Sequence, residues 1–373
     1  MKSGRTLVEL ANELERQRES RRDFIAPMDR LTAVVEEREA GKPQVALAGL
    51  GDTALPVTAL GHEQLASELE IPKRYYDRMA TEAPALLAEN MNHWLLRAAP
   101  KRRLVRTLDG RVRAFLSDAY RPLDNVELAE AVLPVLTDIG ARVDSCELTE
   151  RRLFLKIILP SLSWDMAVAR REAIQRAGGS LDVFIKEDVV QAALTISNSE
   201  VGDGSLRVEE SLNRLVCLNL ATVSKTIRKY HVGRRHDGDD ESVNELLSTE
   251  ARQADDRAFW LKVRDVVRGA FDQARFERTA RRFAEASGDL ITVPVEQLVD
   301  VTAVKFGFTD TTRKNVLQHL AAGGELSRFG LINAVTRAAA DEPSYDVASE
   351  LERVGGRIIE LPKTEWAQLT KAA

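Results

Sequence analysis

Cysteine, long apolar runs and excess positive charge are all missing from this chain, and each absence closes off a class of function. Two cysteines stand in 373 residues. Cys146 and Cys217 are far apart and lack metal-ligand spacing, so both are expected as small buried hydrophobes in a reducing compartment. No uncharged apolar run approaches the ~18 residues of a membrane span. The opening Met1-Lys2-Ser3-Gly4-Arg5-Thr6 lacks the apolar stretch of a secretion signal, so the expected location is the cytoplasm. With 53 Lys and Arg against 58 Asp and Glu the net charge is -5, which argues against a protein that coats duplex DNA by bulk electrostatics. No Walker motif, dinucleotide fingerprint, His-Glu-x-x-His or paired-Cys knuckle is recognisable, so a non-catalytic protein without cofactor is expected. What is present is a soluble globular composition, 44% apolar and 30% charged, long enough for two or three domains with sizeable cores.

Against this acidic background one mid-chain segment is strongly basic. Lys101-Arg102-Arg103-Leu104-Val105-Arg106-Thr107-Leu108-Asp109-Gly110-Arg111-Val112-Arg113-Ala114-Phe115-Leu116 carries six Lys or Arg against one Asp. Asp109-Gly110 between two short alternating runs predicts a β-hairpin, because the type I′ turn needs positive φ that Gly and Asp tolerate. Alternate residues share a face, so Arg111 and Arg113 should project together while Val112 and Ala114 turn the other way. The expected object is a cationic ribbon on an apolar base, with Lys101, Arg102, Arg103, Arg106, Arg111 and Arg113 as candidate phosphate contacts. A solvated hairpin face with no ligand is the alternative.

The remainder reads as follows. Residues 6–39 are charge-rich with scattered Leu and Val, and are expected as one or two amphipathic outer helices. Residues 47–61 suggest a strand or extended arm. Residues 61–79 have the rhythm of helix, tight Ile71-Pro72 turn and helix, superficially a helix-turn-helix in which Lys73, Arg74 and Arg78 meet either phosphates or solvent. A helix from Ala83 to Ala98 carries the stripe Leu86, Leu87, Met91, Trp94 and Leu95. Asp124 or Asn125 should cap a helix running to Asp138, with Gly140 ending it. Strands are expected over 142–148, 152–159 and within 182–197, then a hairpin loop over 197–208 and a helix or extended core segment through Leu218. Residues 244–286 suggest a long, interruptible charged helix whose arginines are matched by acid. Residues 293–373 form a small helical module. The expected fold is α+β: an antiparallel sheet with a basic β-hairpin packed on helices, flanked by N-terminal helices and a C-terminal helical module. The expected divisions are 1–60, 61–243, 244–290 and 291–373.

A second basic run, Lys225-Thr226-Ile227-Arg228-Lys229-Tyr230-His231-Val232-Gly233-Arg234-Arg235-His236, is followed abruptly by Asp237, Asp239, Asp240 and Glu241. Lys225, Arg228, Lys229, Arg234 and Arg235 are candidate phosphate contacts and Tyr230 a stacking platform for a base. A charged surface segment neutralised by its own acidic tail is the alternative. His231 and His236 with the following aspartates also form the one cluster with the chemistry of a divalent-metal site.

Several segments resemble family 932 of the domains of unknown function, a phage- and plasmid-related family. They are Leu65-Ala66 with Ile71-Pro72 and Tyr75-Tyr76; Phe115-Leu116-Ser117-Asp118-Ala119-Tyr120-Arg121-Pro122-Leu123-Asp124-Asn125; Asn198-Ser199-Glu200-Val201-Gly202; Leu215-Val216-Cys217; and Phe329-Gly330-Leu331-Ile332-Asn333-Ala334-Val335-Thr336. The family usually follows its Val-Cys step with Asn-Gly, whereas Leu218-Asn219-Leu220 follows here. That family brings no established activity. The element order, a basic hairpin followed by a helix and further strands, is also similar to the core of single-strand annealing recombinases of the RecT and Red-beta kind. That likeness implies an oligomer holding one strand's phosphates in a basic groove.

Together these readings lead to a non-catalytic single-stranded-DNA binding and annealing protein, acting as a homo-oligomer and without a membrane. A protein-interaction or duplex-DNA-binding regulatory factor using the helix at Pro72–Met79 is the alternative, and a metal-dependent nuclease built on His231–Asp240 the third reading.

Overall fold

The computed structural model describes residues 2–37, 43–179, 187–215, 219–229 and 249–371. The chain opens with helix α1 (Leu7–Ser20), whose start is fixed by a capping box: the Thr6 hydroxyl accepts from Glu9 N while the Glu9 carboxylate accepts from Thr6 N. Strands β1 (Arg22–Pro27), β2 (Thr32–Glu37), β3 (Pro43–Ala48) and β4 (Leu55–Pro56) follow, then helices α2 (Ala59–Glu68), α3 (Lys73–Glu82) and α4 (Pro84–Arg97). The basic segment forms β5 (Arg102–Leu108) and β6 (Arg111–Ser117), succeeded by α5 (Asn125–Asp138), β7 (Arg142–Leu148), β8 (Leu153–Asp165), α6 (Ala167–Arg176), β9 (Val189–Asn198), β10 (Leu206–Arg214) and β11 (Asn219–Lys229). Seven helices complete the described chain: α7 (Thr249–Ala270), α8 (Gln273–Glu285), α9 (Val295–Phe306), α10 (Asp310–Gly323), α11 (Arg328–Asp341), α12 (Tyr345–Glu360) and α13 (Lys363–Lys371).

The architecture is α+β, with strands paired antiparallel in three sheets ordered β1-β5-β6, β2-β3-β4 and β11-β10-β9-β8-β7. The five-stranded sheet carries helices on both faces. Leu155 and Ile157 of β8 join Leu128, Val132, Val263 and Val267 of α5 and α7 on one side, and Lys156, one residue out of phase, points to α12 on the other. The opposite core is built from Phe276, Phe283, Leu298, Val316, Phe329, Val335, Ile358 and Trp366 of the C-terminal helices. A third core, with Met28, Leu47, Leu65, Tyr76, Met91, Val105 and Phe115, binds the two smaller sheets to α2–α4.

The helical reading of residues 6–39 holds only for Leu7–Ser20. Arg22–Pro27 and Thr32–Glu37 are strands because their partners are remote or follow later: Phe24 sits opposite Val105, and Val34 opposite Ala46. Tertiary pairing overrides the local pattern here. The charged stretch from 244 does divide, at Phe271-Asp272, where the Asp272 carboxylate accepts from Arg275 N at 2.8 Å and starts α8. Asp124 occupies the N-cap position of α5 without making the expected side-chain cap; its carboxylate is drawn elsewhere, as described next. Gly140 does end that helix, with φ 72°.

Candidate nucleic-acid interface

The turn between β5 and β6 has φ 51° at Asp109 and 68° at Gly110, the two positive values of a type I′ turn. The Asp109 carboxylate is held by Arg16 at 2.7 Å and Ser20 at 2.6 Å, which ties the hairpin tip to α1. Along β6, Arg111 is exposed while Val112 and Ala114 are buried, matching the alternation. The ladder then slips: Thr107 pairs with Val112 but Arg106 with Ala114, leaving Arg113 as a bulge. The hairpin is therefore covered on both faces, by Val105 and Phe115 on one and by Leu104, Ala114 and Leu116 against Leu60 and Val201 on the other.

That double burial corrects the picture of a free cationic ribbon. Arg106 is fully buried and cannot touch a ligand in solvent. Its Nε donates to Asp23 at 3.0 Å, one Nη to Asp124 at 2.9 Å and the other to the Glu200 carbonyl at 2.8 Å. A guanidinium in an apolar setting is tolerable only when every donor finds an acceptor. Arg21 also meets Asp124, at 2.6 Å. Burial raises the Asp124 pKa, but Arg106 and Arg21 outweigh it and hold the carboxyl below the usual range. Glu200 replaces Asp124 at the start of α5, accepting from Asn125 N at 2.6 Å.

The other hairpin cations divide in two. Lys101 and Arg103 share Glu68, at 3.0 and 2.5 Å, and Arg113 is paired with Glu200 at 2.6 Å. Arg102 and Arg111 are exposed and form no ion pair among the described residues. The helix α3 cations offer less than the sequence suggested, since Lys73 pairs with Asp77 and Arg78 with Glu82 along the helix.

A cleft of about 230 Å³ opens between the hairpin tip, the β7–β8 turn and the β9–β10 loop, lined among others by Arg111, Arg113, Arg151, Arg152, Glu150 and Glu200. Arg151 grips both oxygens of Glu63 at 2.8 Å and reaches Asp203 at 3.2 Å. Arg152 also meets Asp203, at 3.3 Å. Inside the lining, the buried Nε of Arg113 has no hydrogen-bond acceptor among the described residues. That nitrogen is shut off from solvent, and the guanidinium is already paired with Glu200, so it lines the cleft without being a free contact for a ligand. Sequence reasoning missed Arg151 and Arg152, although two adjacent arginines in a predicted turn were the available signal.

Of the second basic run, Lys225, Arg228 and Lys229 lie in β11. Arg228 stands opposite Arg207 and Lys229 opposite Leu206. This puts the end of β11 at the same end of the sheet as the Ser199–Ser205 loop and the Leu148/Leu153 turn, which border the cleft. Tyr230, Arg234, Arg235 and the His231–Asp240 cluster lie outside the described residues, as does Cys217. Cys146 is buried, and its thiol is pushed up to about 11 by burial, so it acts as the expected inert hydrophobe.

Two of the segments that carry the family resemblance, residues 115–125 and 198–202, meet beside this cleft, whereas Leu215 bonds Val189 at the other end of the sheet and residues 329–336 lie in α11. Asn198 donates to the Leu123 carbonyl at 2.7 Å and to Asn125 at 2.8 Å. Tyr120 donates to the Ser199 carbonyl at 3.2 Å, and Gln64 to the Val201 carbonyl at 2.6 Å. No helix among the described residues is long and apolar enough to cross a membrane. Compared with known protein families, characterised proteins and solved structures, the chain matches none.

Proposed function

We propose that the protein binds single-stranded DNA without altering it chemically, and anneals complementary strands as an oligomer. The strand's phosphates run from the hairpin-tip cleft across the end of the five-stranded sheet. Arg111 is the contact at one end of this track, and Arg228 and Lys229 extend it at the other. The observation that carries the reading is an exposed Arg111 with no ion pair among the described residues, on a cleft whose lining also holds Arg151 and Arg152. The sheet register supports it by bringing Arg228 and Lys229 to the same end of the sheet as the cleft. Three strand spacings of ~4.8 Å separate β8 from β11, a length a short stretch of nucleic acid can bridge.

The test is titration of a labelled oligo-dT across salt with the full chain and with Arg111→Glu. Arg111 is exposed and unpaired, so this change leaves the fold intact. Affinity should fall about tenfold, and the slope of log K against log salt should drop by ~0.7 for the lost phosphate. Equal binding by both proteins, or no binding by the unaltered chain, would overturn the reading.

A further inference from the structure

At the far end of the five-stranded sheet, helix α8 presents an arginine face that makes no ion pair among the described residues. Arg278, Arg281 and Arg282 are exposed and stand at i, i+3 and i+4, hence on one side of the helix. None forms an ion pair among the described residues; their neighbour Glu277 is engaged by Gln273 at 2.9 Å. Arg275, one turn earlier, behaves in the ordinary way and pairs with Glu210 at 3.1 Å. Like charges at these spacings destabilise a helix by ~0.2–0.5 kcal/mol per pair in the free protein, a cost that an arriving anion removes.

A second observation gives the anion a chemical class. The Arg281 guanidinium lies 5.6 Å from the centre of the Trp164 ring, inside the ~6 Å range of a cation–π contact. Trp164 is half-buried and belongs to β8, where it pairs with Val190. An indole backing a guanidinium plane, with two further arginines one turn away, is suited to a base stacked on that plane and phosphates beside it. A plain phosphate or an acidic peptide makes no use of the ring.

We infer that the α8 face, Arg278, Arg281 and Arg282 with Trp164, is a second single-strand contact, separate from the hairpin-tip cleft. The inference rests on the single-stranded-DNA reading for the nature of its ligand. The cleft lies by Leu153 and this face by Trp164 at the two ends of β8, about 30 Å apart at ~3.3 Å per residue along the paired strand β9. Only a long strand reaches both.

The experiment compares the full chain, Arg278→Ala/Arg281→Ala/Arg282→Ala, Trp164→Phe and Arg111→Glu against short and long oligo-dT and against a long abasic strand. The triple variant should bind the long strand about tenfold more weakly, lower the salt slope by ~2 for three lost phosphates at ~0.7 each, and leave binding of the short strand at the cleft unchanged. Trp164→Phe should keep most of the affinity. The abasic strand should bind the unaltered chain more weakly than oligo-dT and lose its discrimination in the triple variant. A triple variant with unchanged affinity and slope on the long strand overturns the inference while leaving the cleft intact. Normal binding by Arg111→Glu with loss in the triple variant overturns the cleft and sustains α8. No binding of any strand by the unaltered chain sinks both.

Discussion

Lys156 of β8 and Glu352 of α12 form an ion pair that no solvent reaches: the Lys156 Nζ stands 2.8 Å from each carboxylate oxygen, and both side chains are 0% exposed. The Tyr345 ring lies 4.4 Å from the same ammonium, and Ser145 is 2.8 Å from the Tyr345 hydroxyl. Burial lowers the Lys156 pKa, with Glu352 opposing that fall. Next to it, Arg353 meets Glu209 at 2.8 Å and Ser197 at 3.3 Å. The face of the sheet under α12 is thus a polar layer, where strand alternation alone would suggest an apolar one.

Such a pair is costly to break and cheap to replace. Lys156→Met alone should destabilise the protein by ~3–5 kcal/mol, because it leaves the Glu352 charge buried without a partner. Lys156→Met/Glu352→Leu should recover most of that loss. Urea unfolding midpoints for the two singles and the double measure the coupling, and additive losses would show that the pair does not act as a unit.

Arg106 stands in the same relation to Asp23 and Asp124. Arg106→Leu should cost ~3 kcal/mol or more, since it removes the partner of Asp23, one of the two partners of Asp124 and the donor to the Glu200 carbonyl at once. Arg106→Lys should rescue little, because one ammonium cannot replace three donors pointing in separate directions. Thermal unfolding followed by circular dichroism reads both changes. Arg102→Ala, on the exposed rim, should shift the midpoint by no more than ~0.5 kcal/mol.

Helix α12 owes its close approach to the sheet to Gly355 and Gly356. A methyl group at Gly356 would collide with the Thr222 carbonyl, and one at Gly355 with the Thr336 side chain. Gly356→Ala should therefore destabilise by ~1–3 kcal/mol through forced backbone movement, although alanine is the better helix former. Gly323→Ala, with open space around the added methyl, is the matched control and should be neutral or stabilising.

His62 hydrogen-bonds the Tyr76 hydroxyl through Nδ1 at 2.7 Å, and burial, with Lys73 nearby, lowers its pKa to about 4. The folded value lies below the ordinary one near 6.5, so between pH 4 and 6.5 the unfolded chain binds the extra proton. Stability from this site is full above about pH 6.5 and is lost as pH falls towards 4, by at most ~3 kcal/mol. Unfolding midpoints of the unaltered chain and His62→Gln at pH 7.5 and 4.5 check this; the difference between the two pH values should shrink in the variant.

Where a local rule governs, the sequence spoke clearly. Asp109-Gly110 had to turn the chain with positive φ, Gly140 had to end a helix, and the alternation in residues 142–148 and 152–159 had to make strands, because each depends on backbone sterics within a few residues. Arg22–Pro27 was misread since a strand exists only with its partner, and Thr107, the partner of Arg22, lies far along the chain.

The amino-acid sequence by itself determined the α+β class, the hairpin and the clustering of positive charge. Only the tertiary structure decided which charges face outward. Glu68, Asp23, Asp124 and Glu200 come from four separate segments, yet they converge on Lys101, Arg103, Arg106 and Arg113. Burying a guanidinium demands a carboxylate within hydrogen-bond reach, and proximity across 20 to 90 residues is set by how the sheets and helices pack, a relation that no window along the chain contains.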